Sequence, residues 1–330
     1  MNHMILAGDI GGTKTNVALF DSSLKMIEGS QRKYPSQTSA SLEAILDQYL
    51  ADTKAKPTAA GFGVAGPVKE GVAKITNLPW VIDAAALAKK LGVPRIGLGN
   101  DLVANAAGIE VLPPGSFAEL YAGSPSARGN RAVIAAGTGL GHASLYFDGK
   151  RYVPIPAEVG HGDFAPRNET EVELWRYLTA RFGRASYERI LSGPGLWNVY
   201  EFFRDAKKIT EPGFLTAEIA AAPTPGDKTA AVSKAGLAGT AEGAVKALAL
   251  FVEVYGAQAG NFALSTYSTG GLFVGGGVAP RILPAMQTGA FVKAFLDKKP
   301  MDKFMADIPV KVILNSDTAL YGAAVLARDA

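Results

Sequence analysis

The stretch MILAGDIGGTKTNVALFD, residues 4–21, decides the fold. It begins with an apolar run over 4–8 that stops at Asp9, turns through GGT at 11–13, and resumes as an apolar segment over 16–20. Consecutive glycines favour a tight turn, and the apolar segments on both sides are typical of strands. The sequence therefore predicts a strand, a glycine-rich turn and a second strand near the N-terminus.

A related pattern recurs later in the chain. TGLGHASLYFD, residues 138–148, has the same order of glycine-rich turn, apolar segment and aspartate as GGTKTNVALFD, residues 11–21. The identical pairs are Gly12 and Gly139, Phe20 and Phe147, and Asp21 and Asp148. Three identities make a weak repeat, but the pattern predicts two similar lobes that each present one tight glycine turn.

Strand and helix patterns alternate along the chain, which is typical of the α/β class. Apolar runs predict strands over 59–65, 95–98, 132–136 and 142–147, and a strand followed by a glycine-rich turn over 271–279, with a helix from Pro280. Helical spacing of apolar residues covers 39–51, 83–91 (with Asp83 as N-cap), 102–111, 170–182, 241–264 and 318–328. Proline, glycine and serine predict a domain boundary within 112–131 and a loop over 221–229.

Composition excludes several classes of function. Lys and Arg number 33 and Asp and Glu 30, a net charge of +3 that is too even for nucleic acid or an anionic membrane as the main partner. The sequence has no cysteine, so disulfides, thiolate metal sites and cysteine nucleophiles are excluded. The segment 244–264 is interrupted by Lys246 and Glu253, and no signal-peptide pattern opens the sequence. We expect a soluble cytoplasmic protein with no membrane partner.

Two familiar phosphate-binding motifs are matched only in part. GDIGGTKT, residues 8–15, departs from the P-loop because Thr13 stands where a glycine is required and Asp9 would put negative charge in the anion cradle. GFGVAG, residues 61–66, has the letters of the dinucleotide-binding pattern, but no helical spacing follows it. Neither motif therefore explains the glycines.

A third interpretation uses the two glycine turns together. Successive Gly and Thr residues can aim backbone N–H groups and a hydroxyl at phosphate oxygens. Two such turns, one in each lobe, would grip a nucleoside triphosphate from both sides. Asp9 would then hold Mg²⁺, directly or through water, and the metal would neutralise the phosphate oxygens.

The motifs GDIGGTKT, AAGTGLG and GGLFVGGGVAP, in that order, resemble the two phosphate loops and the adenosine loop of the sugar kinase/Hsp70/actin superfamily. ITNLPW (75–80), GND (99–101), AEVGHGDFAP (157–166) and ERILSGPG (188–195) are similar to motifs of the bacterial ATP-dependent glucokinase family. The related repressor/ORF/kinase family usually carries a cysteine-rich zinc motif, so the lack of cysteine indicates the zinc-free branch. Val159 departs from the family pattern, which has glycine there.

The resemblance implies a two-domain α/β protein with the actin-like ATPase (ribonuclease H-like) fold and a cleft between the lobes. It places the small domain at 1–112 plus 315–330 and the large domain at 113–314. It implies transfer of the ATP γ-phosphoryl group to the 6-hydroxyl of D-glucose, the first step of glycolysis. ATP and Mg²⁺ are the expected cofactors, a hexose and ATP the expected small-molecule partners, and a homodimer the expected assembly.

The resemblance also implies roles for individual residues. Asp101 would be the general base; by position alone it is more typical of a helix N-cap. Asn100, Asp101, Glu158, His161 and Glu188 would bind the hexose, although a lone loop histidine or surface glutamate is usually structural. The residues expected at the nucleotide are Gly8, Asp9, Ile10, Gly11, Gly12, Thr13, Gly137, Thr138, Gly139, Gly275, Gly276 and Gly277, with Asp9 at the metal. Lys14 could contact phosphate or face solvent, and His142 and Trp80 are predicted to be structural.

Three alternatives remain. The enzyme could phosphorylate another hexose, such as fructose, mannose or an N-acetylhexosamine. A non-catalytic sugar-sensing regulator is disfavoured because the sequence shows no helix-turn-helix segment or basic patch. An ATPase acting on proteins is disfavoured because 330 residues leave no room for a peptide-binding domain.

Overall fold

The computed structural model describes residues 3–330. Its strands are β1 Ile5–Ile10, β2 Lys14–Phe20, β3 Arg32–Pro35, β4 Ala59–Val64, β5 Val68–Lys69, β6 Val72–Lys74, β7 Val81–Asp83, β8 Ile96–Asn100, β9 Phe117–Tyr121, β10 Arg131–Ala136, β11 Leu140–Phe147, β12 Tyr152–Ala157, β13 Leu272–Gly275 and β14 Val310–Ile313. Its α-helices are α1 Leu42–Thr53, α2 Ala84–Leu91, α3 Asp101–Gly108, α4 Glu169–Phe182, α5 Gly193–Glu201, α6 Gly213–Ala221, α7 Pro225–Ala238, α8 Glu242–Ser265, α9 Leu283–Met286, α10 Ala290–Leu296, α11 Asp302–Ala306 and α12 Thr318–Asp329.

The chain divides into two compact units. The first takes the chain up to Ser116, together with Ala143–Pro156 and Asn315–Ala330. The second consists of Phe117–His142 and Ala157–Leu314. The domain bounds expected from the sequence differ from this division at residues 113–116 and in the segment Ala143–Pro156, both of which they place in the large domain.

The two larger sheets share one strand order. The first runs β3-β2-β1-β4-β8, and the second runs β12-β11-β10-β13-β14 with β9 added at its end. β1 is antiparallel to β2 and parallel to β4, which is parallel to β8. β10 is likewise parallel to β13, and β13 to β14. The faint repeat of the glycine turns in the sequence therefore accompanies a repeat of strand order.

Helix α12 packs unusually close to the first sheet and to α3. A Cβ added at Gly322 would lie 1.6 Å from the carbonyl oxygen of Ala104 on α3, and one added at Gly61 would lie 2.1 Å from that of Ala323. Any side chain at either position would force the two elements apart. Gly61 is thus a packing glycine. The segment after GFGVAG continues as strands β5 and β6, so the expectation that no helix follows it is confirmed.

Helix α8 forms the centre of the second unit. By length and composition alone it could cross a membrane, which differs from the expectation that it is too polar, but 78% of its most apolar window is buried. Its side chains, including Phe251, Tyr255 and Phe262, belong to the main core of this unit. Burial of this kind accounts for the apolar composition of the helix, while Glu242, Val245 and Lys246 in its first turns are exposed.

The segment 112–131 is not a plain linker. It contains β9, which pairs antiparallel with β14 through Phe117 opposite Ile313 and Glu119 opposite Lys311. The division between the two units falls within this segment, between Ser116 and Phe117. The five-residue strand itself was not predicted, because it lies between two groups of turn-forming residues.

The predicted loop over 221–229 is wrong, because α7 begins at Pro225. The Thr224 hydroxyl accepts a hydrogen bond from the Asp227 N–H, and the Asp227 carboxylate accepts one from the Thr224 N–H. This reciprocal pair is a capping box, and proline at the first helical position has the backbone angle a helix needs. The residues Thr-Pro-Gly-Asp are therefore a helix start, although each is also common in loops.

Candidate active site

The first glycine turn is the tight end of the hairpin between β1 and β2. The N–H of Gly11 donates to the carbonyl oxygen of Lys14 at 2.9 Å. Lys14 is the first residue of β2, and its side chain is exposed. Asp9 lies opposite Asn16 across the hairpin, and Asn16 Nδ2 donates to Asp9 Oδ2 at 3.1 Å. The turn is a strand-to-strand hairpin, so the rejection of a P-loop, which requires a following helix, is confirmed.

Asp9 is a partly buried carboxylate that lies near other carboxylates. The pKa of Asp9 is raised to about 6. Burial is the main cause, the carboxylates of Asp101 and Asp317 act in the same direction, and the hydrogen bond from Asn16 opposes them. The charged form of Asp9 is therefore disfavoured by the protein itself. A cation at this position would reverse that penalty, because an opposite charge favours the ionised carboxylate.

Asn100 and Asp101 lie where β8 meets α3. Asn100 is the N-cap, since its Oδ1 accepts a hydrogen bond from the Val103 N–H at 2.7 Å. Asp101 is the first helical residue, and its Oδ1 accepts from the Leu102 N–H at 2.9 Å. The interpretation of Asp101 as the helix cap is therefore wrong. The cap uses only the oxygen of the Asn100 amide and leaves its NH₂ group as a potential ligand donor.

In the second unit, Glu158, His161 and Glu188 converge. His161 Nε2 lies 4.0 Å from Glu158 Oε2, and His161 Nδ1 lies 3.9 Å from Glu188 Oε1. Glu158 and His161 border a short 3₁₀ turn, Val159–His161, and Glu188 belongs to another, Tyr187–Arg189. The two turns are joined by the Tyr187 N–H, which donates to the Gly162 carbonyl oxygen at 3.1 Å. Glu158 and Glu188 are thus thirty residues apart in sequence but lie in one cluster with His161.

Neither Glu188 nor His161 is an isolated surface group. Glu188 Oε2 accepts a hydrogen bond from the Leu140 N–H at 3.0 Å, which ties it to the second glycine turn. Arg184 Nη1 donates to the His161 carbonyl oxygen at 2.7 Å and to Asp163 Oδ1 at 2.7 Å. The backbone around His161 is therefore held in place. Val159 is partly exposed, which explains why the loop accepts a larger residue than glycine there.

The second glycine turn lines a cavity. The Gly137 N–H donates to the Gly139 carbonyl oxygen at 2.8 Å, which closes the turn between β10 and β11. A cavity of about 690 Å³ beside it is lined by residues that include Gly137, Thr138, Gly193, Pro194, Thr229 and Gly277. Its volume lies within the usual range for a bound small molecule.

Glycines 275–277 differ in what they do. Gly275 ends β13 in the core, whereas Gly277 lines the cavity. Gly276 has φ of +81°, and a Cβ there would lie 2.2 Å from the Ala136 carbonyl oxygen. The turn after β13 therefore needs glycine at 276 for its own backbone, and of the three glycines only Gly277 lines the cavity.

Several residues of these sites were not predicted from the sequence. Asn16 could have been found from the register of the predicted hairpin, because it stands directly across from Asp9. Asp317 precedes α12 and carries no motif of its own. Thr229 donates to the Gly193 carbonyl oxygen at 3.0 Å and was hidden by the mistaken loop over 221–229. His142 and Trp80 are buried, in keeping with the structural roles predicted for them.

Comparison with known proteins gives one consistent result. A family model described as Glucokinase matches residues 6–330. Curated proteins named Glucokinase from Nostoc sp. and Synechocystis sp. are 39% and 37% identical to this chain, and each alignment covers 98% of it and 98% and 97% of the relative. A solved glucokinase from an Antarctic psychrotroph is 28% identical, with a TM-score of 0.87 and coverage of 99% of both chains. A ROK family glucokinase from Streptomyces griseus, solved with glucose and AMPPNP, has the same fold at 21% identity, with a TM-score of 0.64 and coverage of 100% of both chains.

Proposed function

The chain belongs to the glucokinase family, and from that premise we propose that it transfers the γ-phosphoryl group of ATP to the 6-hydroxyl of D-glucose, giving glucose 6-phosphate and ADP. The observation that carries this proposal is the convergence of Glu158, His161 and Glu188 beside a glycine turn that lines a cavity of nucleotide size. A hexose and a nucleoside triphosphate need these two kinds of site close together. The Streptomyces griseus protein was solved with both types of ligand.

The hexose is held by polar groups that match its hydroxyls. The carboxylates of Glu158 and Glu188 accept hydrogen bonds, neutral His161 can donate or accept, and the Asn100 amide donates. A sugar that lacks one of these hydroxyls leaves a protein group unpaired, and that loss is the basis for rejecting it.

The nucleotide is held mainly by backbone. Gly137, Thr138 and Gly139 in one turn and Gly11, Gly12 and Thr13 in the other present N–H groups and hydroxyls to the triphosphate. Gly8 and Ile10 complete the first hairpin. The nucleoside lies in the cavity beside Gly277, where an added Cβ would meet no atom within 4 Å.

Asp9 fits a role in holding Mg²⁺. Among residues 3–330, no group of three or more His, Asp or Glu side chains forms a ready-made metal site. This suits Mg²⁺, which usually takes one or two carboxylates and completes its shell with water and substrate phosphates. When bound, the ion neutralises phosphate charge. Asn16 orients the Asp9 carboxylate through its hydrogen bond to Oδ2.

Asp101 accepts the proton of the sugar 6-hydroxyl. Its carboxylate is oriented by the Leu102 N–H and lies in the field of Asp9. As the oxygen of the 6-hydroxyl attacks the γ-phosphorus, its bond to hydrogen weakens, and a carboxylate in reach takes the proton. The remaining work is alignment of the two substrates and neutralisation of charge.

The further expectations follow the same premise. We expect the enzyme to act in the cytoplasm, in the first step of glycolysis, and to form a homodimer. Sedimentation equilibrium tests the assembly directly, because a homodimer has twice the chain mass of 34.4 kDa.

The proposal is tested by ADP release from Mg·ATP in the presence of glucose, fructose, mannose, N-acetylglucosamine or no sugar. We expect glucose to give the highest kcat/KM and the reaction without sugar to be much slower. A different hexose at the top would identify the other-hexose alternative. Sugar binding without ADP release would indicate a sensor, and ADP release independent of sugar would indicate an ATPase of another kind.

A further inference from the structure

The segment Glu188–Gly195 connects the hexose cluster to the cavity. It begins with the Glu188 carboxylate and reaches Gly193 and Pro194, which line the cavity wall. Two hydrogen bonds join it to the turn between β10 and β11. The Leu140 N–H donates to Glu188 Oε2 at 3.0 Å, and the Gly193 N–H donates to the Gly137 carbonyl oxygen at 2.8 Å. The turn is thus held at both of its ends by one short segment.

The two carboxylate oxygens of Glu188 face different groups, the Leu140 N–H and the His161 ring. Oε2 accepts from Leu140, while Oε1 is 3.9 Å from His161 Nδ1. The Glu188 carbonyl oxygen accepts from the Ser192 hydroxyl at 2.8 Å, which fixes the backbone below the side chain. The space between carboxylate and turn is filled, because a Cβ added at Gly139 would lie 2.7 Å from Oε2. A displacement of the Glu188 carboxylate therefore also displaces the turn.

We propose that Glu188 is a positioning residue that couples hexose binding to nucleotide binding through its hydrogen bond to the Leu140 N–H. This inference rests on the proposed function. A hexose hydroxyl that donates to Oε1 restricts the rotation of the carboxylate. Less rotational entropy is then lost in keeping the bond from the Leu140 N–H to Oε2, and the turn is held more firmly in the geometry that receives phosphate.

Coupling of this kind is reciprocal, so each ligand must tighten the other by the same factor. We expect saturating glucose to lower the Kd of Mg·AMPPNP at least about 5-fold, the low end of typical coupling between sites. Isothermal titration calorimetry with and without glucose measures this ratio. Its reciprocal, glucose binding with and without Mg·AMPPNP, must agree.

Variants at Glu188 separate coupling from affinity. Glu188→Ala is expected to bring the ratio to about 1, because the acceptor for Leu140 is gone. Glu188→Gln is expected to keep most of the ratio, since its amide oxygen still accepts from the Leu140 N–H. Glu158→Gln is the matched control: it alters the same hexose cluster without touching the turn, and it should keep the ratio. A Glu188→Ala ratio equal to that of the wild type would overturn the proposal.

A second pair of variants changes the turn instead of Glu188, and its test measures glucose binding without nucleotide. Gly139→Ala places its methyl group against Oε2 and should weaken glucose binding in the nucleotide-free protein about 5-fold. Gly137→Ala lies on the same turn, but its added Cβ meets no atom within 4 Å, so glucose affinity should not change. Equal glucose affinity in both variants would contradict the coupling. Wild-type protein that binds no glucose would instead contradict the proposed function.

Discussion

Asn100 and Asp101 divide two tasks between adjacent residues. Asn100 is the N-cap of α3, so the Asp101 carboxylate is not needed to cap the helix. Asp101→Asn keeps the size and the acceptor for the Leu102 N–H but removes the basic carboxylate. We expect kcat to fall about 10²–10⁴-fold while the Kd for glucose, from calorimetry, changes little.

A matched control exists on the neighbouring helix. Asp83 caps α2 by accepting from the N–H groups of Ala85 and Ala86. Asparagine caps a helix about as well as aspartate, so Asp83→Asn should leave kcat unchanged. Turnover of Asp101→Asn within a few-fold of that control would refute the assignment of the base.

His142 makes the stability of the second unit depend on pH. It is fully buried against the edge of Phe262, with ring centroids 4.7 Å apart, and burial lowers its pKa from 6.5 to about 4. Below pH 6.5 the unfolded chain binds a proton at this histidine and the folded chain does not. Stability is therefore lost as pH falls from 6.5 towards 4.

Replacing the histidine removes this dependence. Between pH 7 and 5, the free energy of unfolding of the wild type should fall by about 2 kcal/mol relative to that of His142→Leu. Urea denaturation of both proteins at several pH values measures the difference. Parallel pH profiles for the two proteins would show that His142 is not the group responsible.

At the scale of elements, the start of α7 is a small motif with a measurable effect. Thr224→Ala removes the hydroxyl that accepts from the Asp227 N–H and should lower the free energy of unfolding by about 1 kcal/mol. Thr224→Ser retains the cap and should cost much less. If urea denaturation gives the two variants the same stability, the capping box contributes nothing.

The close packing of α12 against α3 predicts that Gly322→Ala lowers the stability of the protein, although alanine has the higher helix propensity. Ala at Gly322 favours a helix by about 1 kcal/mol, but its Cβ would lie 1.6 Å from the Ala104 carbonyl oxygen. We expect Gly322→Ala to lose about 2 kcal/mol or more, because the two helices must separate. In Gly243→Ala on α8 the nearest atom is 3.4 Å away, so its stability should stay within about 1 kcal/mol of the wild type. Thermal unfolding at equal concentrations separates the two, and equal Tm values would contradict the packing argument.

Most elements could be predicted from local pattern, and the failures have local causes. The hairpin at 11–13 and the cap at Asp83 follow from residues adjacent in sequence. β9 and the start of α7 were missed because proline, glycine and serine serve both loops and element ends. Only tertiary pairing, of β9 with β14 and of α7 with its neighbours, decides which use applies.

At the scale of the whole chain, two glycine turns with three identities predicted two similar lobes, and the two larger sheets have matching strand order. The predicted α/β actin-like fold is confirmed by the likeness to solved glucokinases. Strand order survives near-complete change of sequence because backbone hydrogen bonds define it. The cluster of Glu158, His161 and Glu188 could not be derived from spacing, since the distance along the chain says nothing about which 3₁₀ turns meet. The family resemblance alone pointed to it.

The central claim is that a phosphoryl group moves from ATP to the 6-hydroxyl of glucose. Proton-coupled phosphorus NMR of the product tests this most directly, because a phosphate on a CH₂ oxygen is split into a triplet by the two C6 protons. We predict a triplet from glucose and no sugar phosphate from 6-deoxyglucose. A doublet, which places the phosphate on a ring carbon, or inorganic phosphate alone would contradict the account.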